Sequence, residues 1–112
     1  MSNPTLSLIV VTCLFLSGCA SLNKSECVSA DWYQIGSEDG SAGRPIAIFA
    51  EHRKSCAKHN IEADFTLYSE GRTAGLKSYC TSEIGFSSGA NGSEYAGVCP
   101  KPSEEAFKTA YI

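Results

Sequence analysis

Charge is missing from the whole amino end of this chain. Residues 1–18 contain no Asp, Glu, Lys or Arg, so all nine basic and all twelve acidic side chains lie beyond them. A membrane-spanning run is missing too. The apolar stretch Leu6–Leu16 (LSLIVVTCLFL) has eleven residues, whereas a spanning helix needs about twenty. Met1–Thr5 lacks Lys and Arg, so the α-amino group alone supplies the positive charge expected ahead of a signal h-region. There is also no basic stripe. Lys24, Arg44, Arg53, Lys54, Lys58, Arg72, Lys77, Lys101 and Lys108 are scattered among acids and the net charge is −3, which argues against nucleic acid as a partner.

What the chain does have is Leu16-Ser17-Gly18-Cys19 at the end of the apolar run. This resembles a bacterial lipobox. The resemblance implies that residues 1–18 are a lipoprotein signal peptide and that Cys19 receives a diacylglyceryl group. A buried amino-terminal strand would leave the position of Cys19 unexplained. Ala20 follows Cys19 in place of the Asp that retains lipoproteins at the inner membrane. The expected location is therefore the outer membrane, facing the periplasm and held by the lipid. Residues 19–26 read as a lipidated polar tether. At about 3.3 Å per residue it lifts the domain at most about 25 Å from the lipid. Residues 27–112 form one small domain, short enough to need covalent staples.

Cys13 leaves with the signal and Cys19 takes the lipid, so Cys27, Cys56, Cys80 and Cys99 remain as an even set in an oxidising compartment. Three pairings are open at this point.

Asp31 is a good N-cap for a helix from Trp32. That helix places Gly36, Gly40 and Gly43 on one face. Each glycine weakens a helix by about 1 kcal/mol relative to alanine, which predicts close approach by another backbone. A phosphate-cradling loop needs a preceding strand, and none is read here. Arg44-Pro45 ends this element, and a second helix runs from Ile46 to about His59 with Asn60 as its stop. Asp64 caps a third, with Phe65, Tyr68, Arg72, Gly75, Leu76 and Tyr79 along one face and Gly71 beside it. Tyr33, Gly36 and Gly40 recur as Tyr68, Gly71 and Gly75, at an offset of thirty-five residues. Two similar glycine-faced helices packed on each other are the expected arrangement. Residues 81–98 read as a Gly/Ser-rich loop pinned by Phe86 and Tyr95, with room for a tight turn at Asn91-Gly92. Cys99-Pro100 then leads into a last helix capped by Ser103, with Phe107 and Tyr111 inward. The fold class is mainly α: a small bundle of about four short helices with a Gly/Ser-rich loop. If the first two helices fold back on each other, Cys27 meets Cys56, and Cys80 with Cys99 closes the later loop.

Taken together, Cys27 with Asp31-Trp32-Tyr33, Asp39-Gly40-x-x-Gly43-x-Pro45, His52 with Cys56, Tyr68-x-x-Gly71-x-x-x-Gly75-Leu76-x-x-Tyr79-Cys80 and Val98-Cys99-Pro100 resemble the domain of unknown function 2799 family of Gram-negative envelope lipoproteins. The similarity covers nearly the whole mature chain. It implies a periplasm-facing lipoprotein, with further sequence after the position of Tyr111, and it brings no activity.

For chemistry, His52, Cys56 and His59 fall at i, i+4 and i+7 and offer a partial zinc set. A disulfide at Cys56 is the stronger expectation, so neither a metal nor any cofactor beyond the Cys19 lipid is assigned. Asp39 and His52 can be drawn as an acid–base pair, yet no nucleophile stands out and no catalytic residue is assigned. Asp39, His52 and Arg72 are retained as functional or buried polar residues, Asp39 pairing with Arg44, Arg72 or His52. The expected role is a non-catalytic binding or structural module of the envelope, touching an envelope protein or peptidoglycan. The competing expectation is a small periplasmic hydrolase or metal-binding protein built on His52 and Asp39. Oligomeric state is not read from the sequence.

Overall fold

Caps and proline set the helix boundaries. The structure, a computed structural model, describes residues 21–112, so Cys19 and the signal segment lie outside the described residues. Asn23 and Glu26 form a reciprocal capping box, each side chain accepting from the other's backbone N–H at 2.8 and 2.9 Å, and this starts α1, Lys24–Val28. Asp31 accepts from Gln34 N–H at the head of α2, Trp32–Ser41. Pro45–Ala47 wind a tight turn into α3, Ile48–Ala57. Asn60 ends that segment in the left-handed conformation at φ 60°, while Ile61 N–H reaches back to Cys56 O. Asparagine tolerates that conformation better than most residues. Asp64 caps α4, Phe65–Tyr79, as expected.

Beyond Cys80 the structure corrects the sequence reading. Residues 82–90 are a helix, α5 (Ser82–Ala90), capped by Thr81. Its glycines serve packing: a Cβ at Gly85 or Gly89 would overlap the carbonyl oxygens of Phe107 and Tyr111 in α6, Lys101–Tyr111. No hairpin forms at Asn91-Gly92; Asn91 is the C-cap and Gly92, at φ 70°, turns the chain away. Phe86 is 67% exposed and pins nothing, whereas Tyr95 packs on the core. Pro100, not Ser103, occupies the N-cap of α6. Among the described residues there are thus six helices and no strand, two more helices than expected. None of the six is long and apolar enough to cross a membrane.

The paired glycine faces meet as the sequence predicts at Gly36 and Gly40, but Gly43 is not part of that face, because α2 ends at Ser41. A Cβ on Gly36 would overlap Tyr68 O and one on Gly40 would overlap Arg72 O; in return Gly71 faces Tyr33 O and Gly75 faces Ser37 O. Backbone contact of this kind brings Cα–H groups against carbonyl oxygens. Gly43, at φ 68°, lies against the Tyr79 ring. Two cores flank the contact. One gathers Trp32, Phe49, Tyr68 and the Cys27–Cys56 disulfide. The other gathers Leu76, Tyr79, Phe107 and the Cys80–Cys99 disulfide. Both disulfides are the expected pairs, and α4 contributes to both cores. In the stretch 19–26 expected as a tether, residues from Ser21 onward already belong to the domain. Ser21 hydrogen-bonds to Ser55, and Lys24 begins a helix.

Alanine normally strengthens a helix relative to glycine, and here the sign should reverse. Gly36→Ala and Gly71→Ala are each expected to lower stability by about 1–3 kcal/mol through overpacking. Denaturant midpoints of the oxidised domain provide the measurement.

Candidate functional site around Asp39

Asp39 lies in the last turns of α2, one residue before a glycine that touches α4, so its side chain enters a space bounded by α3 and α4. It is 2% exposed. A carboxylate taken from water needs strong compensation, and three donors supply it. Arg44 Nη1 donates to Oδ1 at 2.9 Å, His52 Nε2 meets Oδ2 at 2.8 Å, and the Tyr68 hydroxyl donates to Oδ2 at 2.6 Å. Arg44 gets there because the chain doubles back at Gly43, with Arg44 N–H bonded to Asp39 O. His52 comes from α3 and Tyr68 from α4, so one carboxylate gathers three helices.

Burial pushes the Asp39 carboxyl up, and the hydrogen bonds from Tyr68, His52 and Arg44 more than reverse this, leaving it below its ordinary value. Burial pushes the Tyr68 phenol well above its usual range, and the hydrogen bond to the adjacent Asp39 carboxylate adds to the effect. The pair therefore stays as carboxylate and neutral phenol.

The far side of the His52 ring is engaged as well. Nδ1 lies 2.9 Å from Ser21 Oγ, and Ser21 is bonded to Ser55 through both its N–H and its hydroxyl, each at 3.2 Å. With Nε2–H donated to Asp39, the Nδ1 of a neutral ring accepts from Ser21 Oγ–H. The result is a continuous Ser21–His52–Asp39 chain beside an open cleft of about 430 Å3, whose walls include Leu22, Gln34, Ile35 and Arg44.

Of the residues singled out in the sequence, Asp39 and His52 come together directly. Arg72 does not reach Asp39: its Nη2 donates to Arg44 O at 3.0 Å, while its Nε is buried without a partner. It acts on the cluster by holding the backbone of Arg44. The zinc set loses its thiolate, because Cys56 is in a disulfide; among the described residues no group of three or more His, Cys, Asp and Glu is arranged to hold a metal. The sequence placed Tyr68 along one face of the third helix without showing its hydroxyl on Asp39, and it gave no sign of Ser21 or Ser55. The repeat carried the signal for Tyr68: the copy of Tyr33, which is 43% exposed, is itself fully buried, and a buried phenol calls for an acceptor.

Breaking this cluster should register first as lost stability. Asp39→Asn is expected to lower stability at neutral pH by about 3 kcal/mol, and Tyr68→Phe by about 1–3 kcal/mol. The acid limb provides a second readout. A carboxyl held below its ordinary value of 3.8 contributes fully above that pH. Its contribution fades as pH falls through 3.8 toward the folded value. Thermal melts between neutral pH and pH 3 should show Asp39→Asn with a flatter acid dependence than wild type.

The chain is 28% identical over 89 residues to the uncharacterized protein YfiL of Escherichia coli (strain K12), an alignment covering 77% of this chain and 69% of that protein. No solved structure matches. Residues 31–112, which include Asp39, His52, Tyr68, both glycine faces and three of the four disulfide cysteines, match the pattern of the family described as Protein of unknown function (DUF2799); the chain belongs to that family.

Proposed function

We propose that this chain is a bacterial lipoprotein, anchored through a diacylglyceryl group on Cys19, whose domain serves as a non-catalytic binding or structural module of the cell envelope. The observation that carries the non-catalytic part is the saturation of Asp39. Three donors from within the domain occupy its two oxygens, which is how a buried charge is kept when its work is to hold helices together. The lipobox residues Leu16–Cys19 support the anchor, and two disulfides suit an oxidising compartment. The outer membrane is the destination that Ala20 after Cys19 favours. An envelope protein or peptidoglycan is the partner class such a module would meet.

The test of the anchor is fractionation. Wild-type protein expressed with labelled palmitate is expected to carry label and to sediment with outer membranes, whereas Cys19→Ala is expected in neither state. A Cys19→Ala protein that still sediments with membranes overturns the anchor.

One observation favours a second reading, a small hydrolase: the Ser21–His52–Asp39 chain places a hydroxyl on an imidazole that is itself oriented by a carboxylate. A fluorophosphonate probe separates the two. The module reading expects no label on Ser21, and stoichiometric labelling abolished by His52→Ala would establish the hydrolase.

A further inference from the structure

The amino end of the domain is held where a tether would be expected to hang. Ser21 stands two residues after Cys19 and makes three contacts: its N–H and hydroxyl to Ser55, and its hydroxyl to His52 Nδ1. Leu22 packs on the core beside Trp32 and Phe49. Asn23 and Glu26 cap α1, and Cys27 is bonded to Cys56 of α3. From Ser21 to Cys27, therefore, little slack remains in the chain.

We infer that this Ser21 clamp lays the α1–α3 edge of the domain on the surface of the lipid bilayer. The inference rests on the anchor reading above, because it takes Cys19 as the point of lipid attachment. Reach carries the argument. Consecutive Cα atoms are 3.80 Å apart, so the Cα of Cys19 lies within about 8 Å of that of Ser21. A lipid on Cys19 must enter the bilayer next to the place where Ser21 meets α3. The exposed charges on the two elements that meet there are mixed but net positive: Lys24 with Glu26 on α1, and Glu51, Arg53 and Lys54 on α3 with Lys58 just past its end, a balance that suits an anionic headgroup layer. The second core is farther off. Tyr68 and Tyr79, in opposite cores, are eleven residues apart on α4, or about 16 Å along its axis. The α5–α6 pair thereby faces away from the lipid and is the part presented to the periplasm. The clamp is tied to the fold through His52, whose other nitrogen bonds the most deeply held carboxylate of the domain.

The experiment uses the mature lipidated chain, ¹⁵N-labelled and with both disulfides formed, in nanodiscs of phosphatidylethanolamine and phosphatidylglycerol doped with a gadolinium-headgroup lipid. Amide signals of Lys24–Val28 and Ser55–Lys58 are expected to be lost, while those of Ser87 and Thr109 persist. A Gly/Ser spacer inserted between Ala20 and Ser21 leaves the clamp intact and lengthens the anchor, so the lost signals should return. Ser21→Ala should blur the contrast between the two ends without altering the fold of the core. Disc-bound wild type with equal losses at both ends, or with losses centred on α5–α6, overturns the clamp and leaves the anchor standing. Wild type that does not co-purify with the discs overturns both.

Discussion

Where α2 crosses α4, glycine faces glycine, and the carbonyl oxygens of Tyr33 and Tyr68 occupy space that side-chain carbons would otherwise fill. The other long-range features depend on how closely these two backbones approach. Four glycines in two helices lower intrinsic helicity by about 1 kcal/mol each, so neither helix is well suited to stand alone. Each becomes stable in the presence of the other. At that separation the Tyr68 hydroxyl reaches the Asp39 carboxylate directly, at 2.6 Å. A larger residue at Gly36 or Gly71 would push the axes apart and stretch that bond along with the packing.

The disulfides explain why a buried charge is useful here. Cys27–Cys56 closes a loop that contains α2 and most of α3, and Cys80–Cys99 closes a loop that contains α5. Neither bond ties α2 to α4. That relation is left to non-covalent contact, and Asp39 adds direction to it. The glycine faces resist sliding through shape alone, whereas a carboxylate with one arginine, one histidine and one tyrosine has a single arrangement that satisfies it. The cluster also brings in α3 through His52, joining the half of the domain closed by the first disulfide to the helix that carries the second core.

Much of this was legible in the residues. Asp31 and Asp64 announced their helices as N-caps, the glycine repeat announced the α2–α4 contact, and helix order selected Cys27–Cys56 and Cys80–Cys99. What escaped did so for identifiable reasons. Helix α5 is built of Ser, Gly and Ala around one glutamate, one isoleucine and one phenylalanine, and Phe86 points to solvent. It has no apolar stripe to read, because Ile84 is the one apolar side chain on its packed face and the rest is the bare backbone at Gly85 and Gly89. Helix α1 is five residues long and polar apart from Cys27 and Val28, too short for periodicity. Arg72 satisfies a backbone carbonyl, a partner that no side-chain pattern advertises. Ser21 was hidden by its position, since a serine just after a stretch that resembles a lipobox reads as spacer.

Ser21 is also where the two readings of the site compete for the same atom. Asp39 is closed by Tyr68 on the α4 side and by Arg44 and His52 on the others, so chemistry at the cluster would have to pass through His52 Nδ1. Ser21 Oγ occupies that nitrogen. As a clamp, the hydroxyl donates to Nδ1 and fixes the amino end. As a nucleophile, it would give up that proton and form a bond to substrate, releasing its hold on His52 and weakening its bonds to Ser55. Each turnover would then loosen the amino end of the domain. A hydroxyl placed three residues before Lys24, with Leu22 packed beside it, is better suited to staying still. The same hydrogen bond that makes the site resemble a catalytic relay is thus also the bond that holds the amino end of the domain in place.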